Sequence, residues 1–203
     1  MIKKYLTVML ILTAAFTAVQ AEGFKLERAV INYKITGNNT EFMGNGTMEM
    51  AFDRFGEYMS TTMKSNEMNT TTIITPDSEY MINWNDKTAM DLKSLGSMGG
   101  MMENEQPDME IDEDDMGTPV GTETILGKKC TIYLKKEDGG QAKYWLWEGM
   151  PLKVVTEYEG MKTTMEATSV STPSSIPASK FQVPKGIEIQ KMPSFSFPIP
   201  KMN

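Results

Sequence analysis

The 203-residue chain has no histidine, a single cysteine, and only two arginines, Arg28 and Arg54. Without histidine, Ser-His and Cys-His nucleophile pairs and all His-based metal sites are excluded. The lone Cys130 rules out an internal disulfide, so stability must come from core and sheet. Its place between Lys129 and Thr131 in an alternating segment fits a buried small hydrophobe. No glycine-rich loop follows a strand to open a helix, which removes the phosphate-cradling motifs. Acids such as Glu157 and Glu159 sit on a strand and its turn as surface decoration. Neither catalysis nor a cofactor is expected.

Long apolar runs are also scarce. The longest lies between Tyr5 and Val19, about fifteen residues and short of the roughly twenty that a spanning helix needs. Lys3 and Lys4 precede it, and Val19-Gln20-Ala21 offers the small residues a signal peptidase requires. Residues 1–21 therefore read as a secretory signal peptide cleaved after Ala21, giving an exported, periplasmic protein without stable membrane insertion. Cleavage removes Lys3 and Lys4 from the 20 bases and none of the 27 acids, leaving 18 against 27, or −9. Such a balance disfavours nucleic acid and anionic membranes as partners.

Methionine is abundant, with 20 residues. In Thr47–Asp53 strict alternation puts Met48, Met50 and Phe52 on one face and Thr47, Glu49 and Asp53 on the other. The period of two continues through Met59, Thr61 and Met63, then Thr70, Thr72 and Ile74, then Tyr80, Ile82 and Trp84. Turn residues recur about every ten positions, which predicts an antiparallel meander. A first strand is expected over 26–36, with Ala29, Ile31, Tyr33 and Ile35 on one face. Residues 88–95 are expected to start a short helix. The residues from 22 to 191 fit one domain.

Between Gly96 and Gly121 the pattern stops. Glu103–Asp115 carries eight acids and no base, so the stretch reads as a mobile insertion. Alternation restarts at Glu123. Asp138-Gly139-Gly140 marks a hairpin, Lys143–Glu148 a strand bearing Trp145 and Trp147, and Met161, Thr163 and Met165 a last face. In total about ten strands are expected. Residues 192–203, with Pro193, Pro198 and Pro200, predict an extended tail whose Phe195, Phe197 and Ile199 share one side.

Tyr144–Lys153 (YWLWEGMPLK), Ile176–Gly186 (IPASKFQVPKG) and the Ile31-x-Tyr33 strand resemble exported bacterial domains of the LolA/LolB-like lipoprotein-carrier superfamily, in an uncharacterised branch. The resemblance implies a mainly β fold. It would be a single curved antiparallel sheet of about eleven strands forming an open (half) β-barrel with minor helices over a hydrophobic concavity. Carriers of that superfamily move lipids or acyl chains across the periplasm. Arg28 and Arg54 both fall on the polar face, so neither matches the cavity arginine of the lipoprotein carriers.

These readings combine into a periplasmic carrier or binding protein for an apolar ligand such as a lipid or acyl chain. Its expected lining is Ile31, Tyr33, Met48, Met50, Phe52, Met59, Met63, Trp145, Trp147, Met161 and Met165. Methionine is soft and unbranched, which suits a wall that adapts to irregular apolar shapes. An alternative is Cu(I) binding through thioethers of the loop, Met98, Met101 and Met102. A third is a structural envelope protein that meets other envelope proteins. Replacing residues 96–115 with a short Gly/Ser linker is expected to leave the melting temperature almost unchanged. A loss of several degrees in thermal unfolding would show instead that the insertion packs on the domain.

Overall fold

The computed structural model describes residues 24–38, 45–66, 68–93, 117–137 and 139–190. The expected leader, the loop methionines Met98, Met101 and Met102, and the tail lie outside them. The described strands are β1 (Ala29–Gly37), β2 (Gly46–Asp53), β3 (Tyr58–Lys64), β4 (Asn69–Ile74), β5 (Glu79–Asn83) and β6 (Thr88–Asp91), then β7 (Thr118–Ile125), β8 (Lys128–Glu137), β9 (Gly140–Trp147), β10 (Met150–Tyr158), β11 (Met161–Ser171) and β12 (Glu188–Gln190). They form one 12-stranded sheet in the order β12-β6-β5-β4-β3-β2-β1-β11-β10-β9-β8-β7. Two antiparallel meanders, β1–β6 and β7–β11, are joined where β1 pairs with β11, and only β12 runs parallel to its neighbour β6. The terminal strands β12 and β7 do not pair, so the barrel is open.

Two expectations from sequence are corrected. Of the helix expected over 88–95, residues 88–91 are instead strand β6, and helical backbone begins only at Leu92. Pairing Met90 with Met81 and Ala89 with Ile82 extends the ladder of β5, and that outweighs a local helical pattern with no cap to begin it. The second meander begins at Thr118, five residues before Glu123, because Thr118 and Pro119 already pair with Leu134 and Tyr133. Proline is tolerated there since β7 is an edge.

Cross-strand partners share a face, so the register sorts the side chains. One row reads Ala167, Tyr33, Met48, Met63, Thr70, Asn83 and Thr88 across β11 and β1–β6. The next reads Ile31, Met50, Thr61, Thr72, Met81 and Met90. The N-terminal segment shows that this face is the inside of the curve. Phe24 N–H donates to the Phe55 carbonyl at 3.3 Å, and Lys25 N–H to the Glu148 carbonyl at 3.2 Å. Those carbonyls belong to the β2–β3 and β9–β10 turns, four strand spacings apart, or about 19 Å on a flat sheet. Adjacent amides reach both only if the sheet curls. Phe24 then lies inside the curl, its ring 4.1 Å from that of Phe52. Gly56 is required beneath it: its φ is +99°, and a Cβ there would meet the Phe24 ring at 2.9 Å.

The convex face is polar along β1–β3 but apolar further out. Ile73, Ile82 and Ala89 are buried there, with Trp84, Val183 and Ile187 packed against them. The C-terminal segment forms this cover. It carries a 3₁₀ turn, Ala178–Phe181, whose Phe181 meets Tyr58 edge-on at 5.9 Å and whose Lys180 pairs with Glu49. Arg28 fastens the segment to β1 and β2, donating to Asp53 and to the Ser174 carbonyl at 3.0 Å each.

Truncating the pinching ring should open the curl. Phe24→Ala is expected to cost about 3 kcal/mol, the usual range for a buried phenylalanine, measured by urea unfolding. A loss below about 1 kcal/mol would show that the segment merely rests on the sheet.

Candidate ligand-binding face

Alternation brings most of the expected lining together. Ile31, Tyr33, Met48, Met50, Phe52, Met59 and Met165 all point into the curve and belong to one buried cluster. They are closed off: Ile31, Met50, Phe52 and Met165 have 0% exposure. Opposite them stand Tyr144 and Val154, which share the row of Met165 and Ile35. This half of the concave face is therefore a core that packs on itself. Met63 is half-buried at its margin, and Met161 is half-buried opposite Tyr158 at the β10–β11 turn.

Trp145 belongs to the same buried cluster and Trp147 packs half-buried against it, but the strand register sets them on the other side of the sheet. Trp145 pairs with Lys153, Lys153 with Glu166, and Glu166 with Lys34, which places the tryptophan on the convex face. Strand alternation puts the two tryptophans on one face but cannot say which. Lys143 and Lys153 lie over the Trp145 ring at 4.8 and 5.3 Å, and Lys128 over Trp147 at 4.4 Å.

The accessible part of the concave face is its other half, β3–β6. Met63, Ile74, Met81 and Met90 are half-buried there, interleaved with the half-buried hydroxyls of Thr61, Thr70, Thr72 and Thr88. The wall continues the closed core without a break, since Met50 pairs with Thr61 and Met48 with Met63. Glu79 is the sole charged side chain on the three rows from Ala29, Ile31 and Tyr33 to β6. A soft thioether surface studded with neutral hydroxyls can hold an apolar body and offer a few hydrogen bonds. Sequence reasoning missed Met81 and Met90. Tyr80-Met81-Ile82 is apolar on both faces of its strand, and Tyr80, Ile82 and Trp84 drew the assignment although they face outward. The run of three was the available signal, because a strand covered on both sides loses its alternation.

Burial accounts for the perturbed groups. The Tyr33 phenol is enclosed, and desolvation drives its pKa far above the ordinary tyrosine range. The Cys130 thiol is likewise raised, mainly by burial. On the surface, hydrogen bonds from Lys162 and then Gln141 pull the Glu157 carboxyl down. Two grooves open on the convex face. One of about 830 Å³ is bordered by Asn32, Thr47, Glu49, Thr62 and Lys64. The other, of about 510 Å³, is bordered by Trp145, Lys143, Lys153, Val155 and Lys162. Among the described residues no group of three or more Cys, Asp or Glu side chains could hold a metal ion, and no helix is long and apolar enough to cross a membrane.

No family model and no curated protein matches the chain. Among solved structures it is similar to an uncharacterized conserved protein from Thermus thermophilus, with 10% identity, a TM-score of 0.56, and coverage of 89% of this chain and 98% of that one. It is also similar to the MucA/MucB complex of Pseudomonas aeruginosa (12% identity, TM-score 0.49, 84% of this chain and 60% of that one). A third similar structure is the lipoprotein LppX of Mycobacterium tuberculosis (11% identity, TM-score 0.42, 81% of this chain and 96% of that one). At these identities the likeness is one of fold and carries nothing about ligand or partner.

A raised phenol pKa stabilises the fold only while the phenol stays neutral. Its contribution is full below the unfolded tyrosine value of about 10 and is lost as pH rises above it. Stability measured by urea unfolding is expected to fall from about pH 10 upward, and Tyr33→Phe should shift that alkaline limb to higher pH. An unchanged limb in the variant would assign it to other groups.

Proposed function

We propose that the protein is an exported, periplasmic carrier or binding protein for an apolar ligand, a lipid or an acyl chain, held on the concave wall of β3–β6. The carrying observation is that Met63, Met81 and Met90 are half-buried on the open part of a face whose other half is sealed core. A protein that only packed on itself would have covered these thioethers, as it covers Ile73 and Ile82 on the reverse side of the same strands. One carboxylate and no cation on these rows give little means for acid–base chemistry. Binding is the reading this wall supports.

The expected lining narrows accordingly. Met50 is fully enclosed, so Met50→Glu would place an unpaired charge in a closed core and unfold the protein rather than report on binding. Met81→Glu is the informative substitution. A fluorescent fatty-acid probe should bind the wild type saturably, and Met81→Glu should weaken it at least about tenfold, roughly 1.4 kcal/mol. The melting temperature should hold within a few degrees, and Thr47→Glu on the convex face should leave binding intact. Absence of saturable uptake of any acyl probe by the wild type would sink the carrier reading.

A further inference from the structure

We infer that the convex face carries a second, separate binding site, centred on Trp145, for a small amphipathic anion such as a medium-chain carboxylate. The site is the groove of about 510 Å³ across β7–β11, within the range of small-molecule pockets. Its floor is apolar: Leu134 and Val155 flank Lys143 in the register, and the Trp145 ring lies one row away. Val120 of the edge strand, 50% exposed, forms one wall.

Above that floor stand three ammonium groups and one carboxylate, Glu157, in a chain whose overall charge is −7. Two of the lysines are held at the rim by ion pairs, Lys153 to Glu166 at 3.3 Å and Lys162 to Glu157 at 2.8 Å, and Gln141 donates to the same Glu157 at 2.8 Å. Lys143 differs. Among the described residues no carboxylate pairs with it, and its ammonium sits 4.8 Å above the centre of the Trp145 ring. The indole N–H is already committed to Glu123, so the ring, itself only 6% exposed, is fixed in orientation beneath Lys143 and Lys153.

The plain alternative is that lysine stems merely screen a tryptophan from water. Screening needs neither a groove nor a lysine left out of the surrounding ion pairs. Here a walled apolar trough lies beside an ammonium that no carboxylate of the described residues pairs with. A carboxylate at Lys143, gaining from Lys153 as well, with its short chain along Val155 and Leu134, satisfies both features. The walls favour a free small anion over a flat membrane surface. Because this site lies on the opposite face, it stands independently of the concave wall proposed above.

The test follows the Trp145 indole N–H signal by ¹⁵N NMR of the full chain during titration with octanoate. A saturable shift is expected, weakened about tenfold by Lys143→Gln, retained by Lys143→Arg, and reduced at high salt. Octanol should bind at least about tenfold more weakly than octanoate. Met81→Glu should leave the shift unchanged, which separates this site from the concave one. No saturable shift, equal affinity for octanol, or indifference to Lys143→Gln would each overturn the proposal. So would Lys143-dependent binding to anionic vesicles without any response to octanoate, since that would make the face a membrane contact.

Discussion

The fold depends on one long-range ladder. β1 and β11 share eight paired positions, from Val30 opposite Ser171 to Gly37 opposite Thr163. Every other antiparallel pairing joins strands that are neighbours in sequence, so each meander is built from local hairpins. Only the β1–β11 ladder makes them one sheet and one core, setting Ile35 beside Met165 and Tyr33 beside Ala167. A register shift between Asn32 and Tyr33 marks its middle. The shift is stapled by Asn32 donating to the Ser169 hydroxyl at 3.0 Å and Thr168 donating to the Asn32 carbonyl at 3.1 Å. Closing a loop costs little more as the loop lengthens. A long acidic stretch between β6 and β7 is therefore compatible with this architecture.

The open edge is what gives one residue type two roles. Of the methionines, Met48 and Met50 on β2 and Met59 on β3 pack in one cluster with Val154 and Tyr144 and disappear from solvent. Those on β5 and β6 have no such opposing strands, because the sheet ends at β12 on one side and β7 on the other. The reverse side of β4–β6 is covered by the C-terminal segment, and β12 extends β6 by pairing Ile189 with Ala89. The wall is thus supported from behind, and among the described residues no strand stands in front of it. A barrel closed by pairing β12 with β7 would lose this surface.

Much of this was legible in the sequence, and the failures share a cause. Within a strand, alternation sorted residues correctly: Met48, Met50 and Phe52 do share a face, as do Ile31, Tyr33 and Ile35. The exported-carrier resemblance anticipated an open curved sheet, and that is the architecture. Alternation cannot carry a face assignment across a turn, however. Tyr80, Ile82 and Trp84 were grouped with the methionines, yet Thr71 pairs with Ile82 on the outside. Trp145 was misplaced for the same reason. Strands apolar on both sides, such as Ile73-Ile74, lose the period altogether once a second layer covers them. That second layer comes from residues 172–190, about a hundred positions away in the chain, and no local pattern announces it.

The two faces divide the chemistry by charge. A carboxylate moved onto the methionine rows would be desolvated among thioethers and threonine hydroxyls, with Glu79 the only charge on those rows, and burial of an unpaired charge is costly. A ligand on the proposed concave wall would therefore lay its apolar part there and turn any charged end back toward the open edge. On the convex face the lysine stems lie along Trp145 and Trp147 and leave their ammonium groups at the surface. There an anion keeps part of its hydration and gains charge-assisted hydrogen bonds. A single sheet holds the two environments apart, with thioethers gathered on the inner side of β2, β3, β5 and β6 and lysines on the outer side of β8–β11, because successive side chains must point to opposite faces.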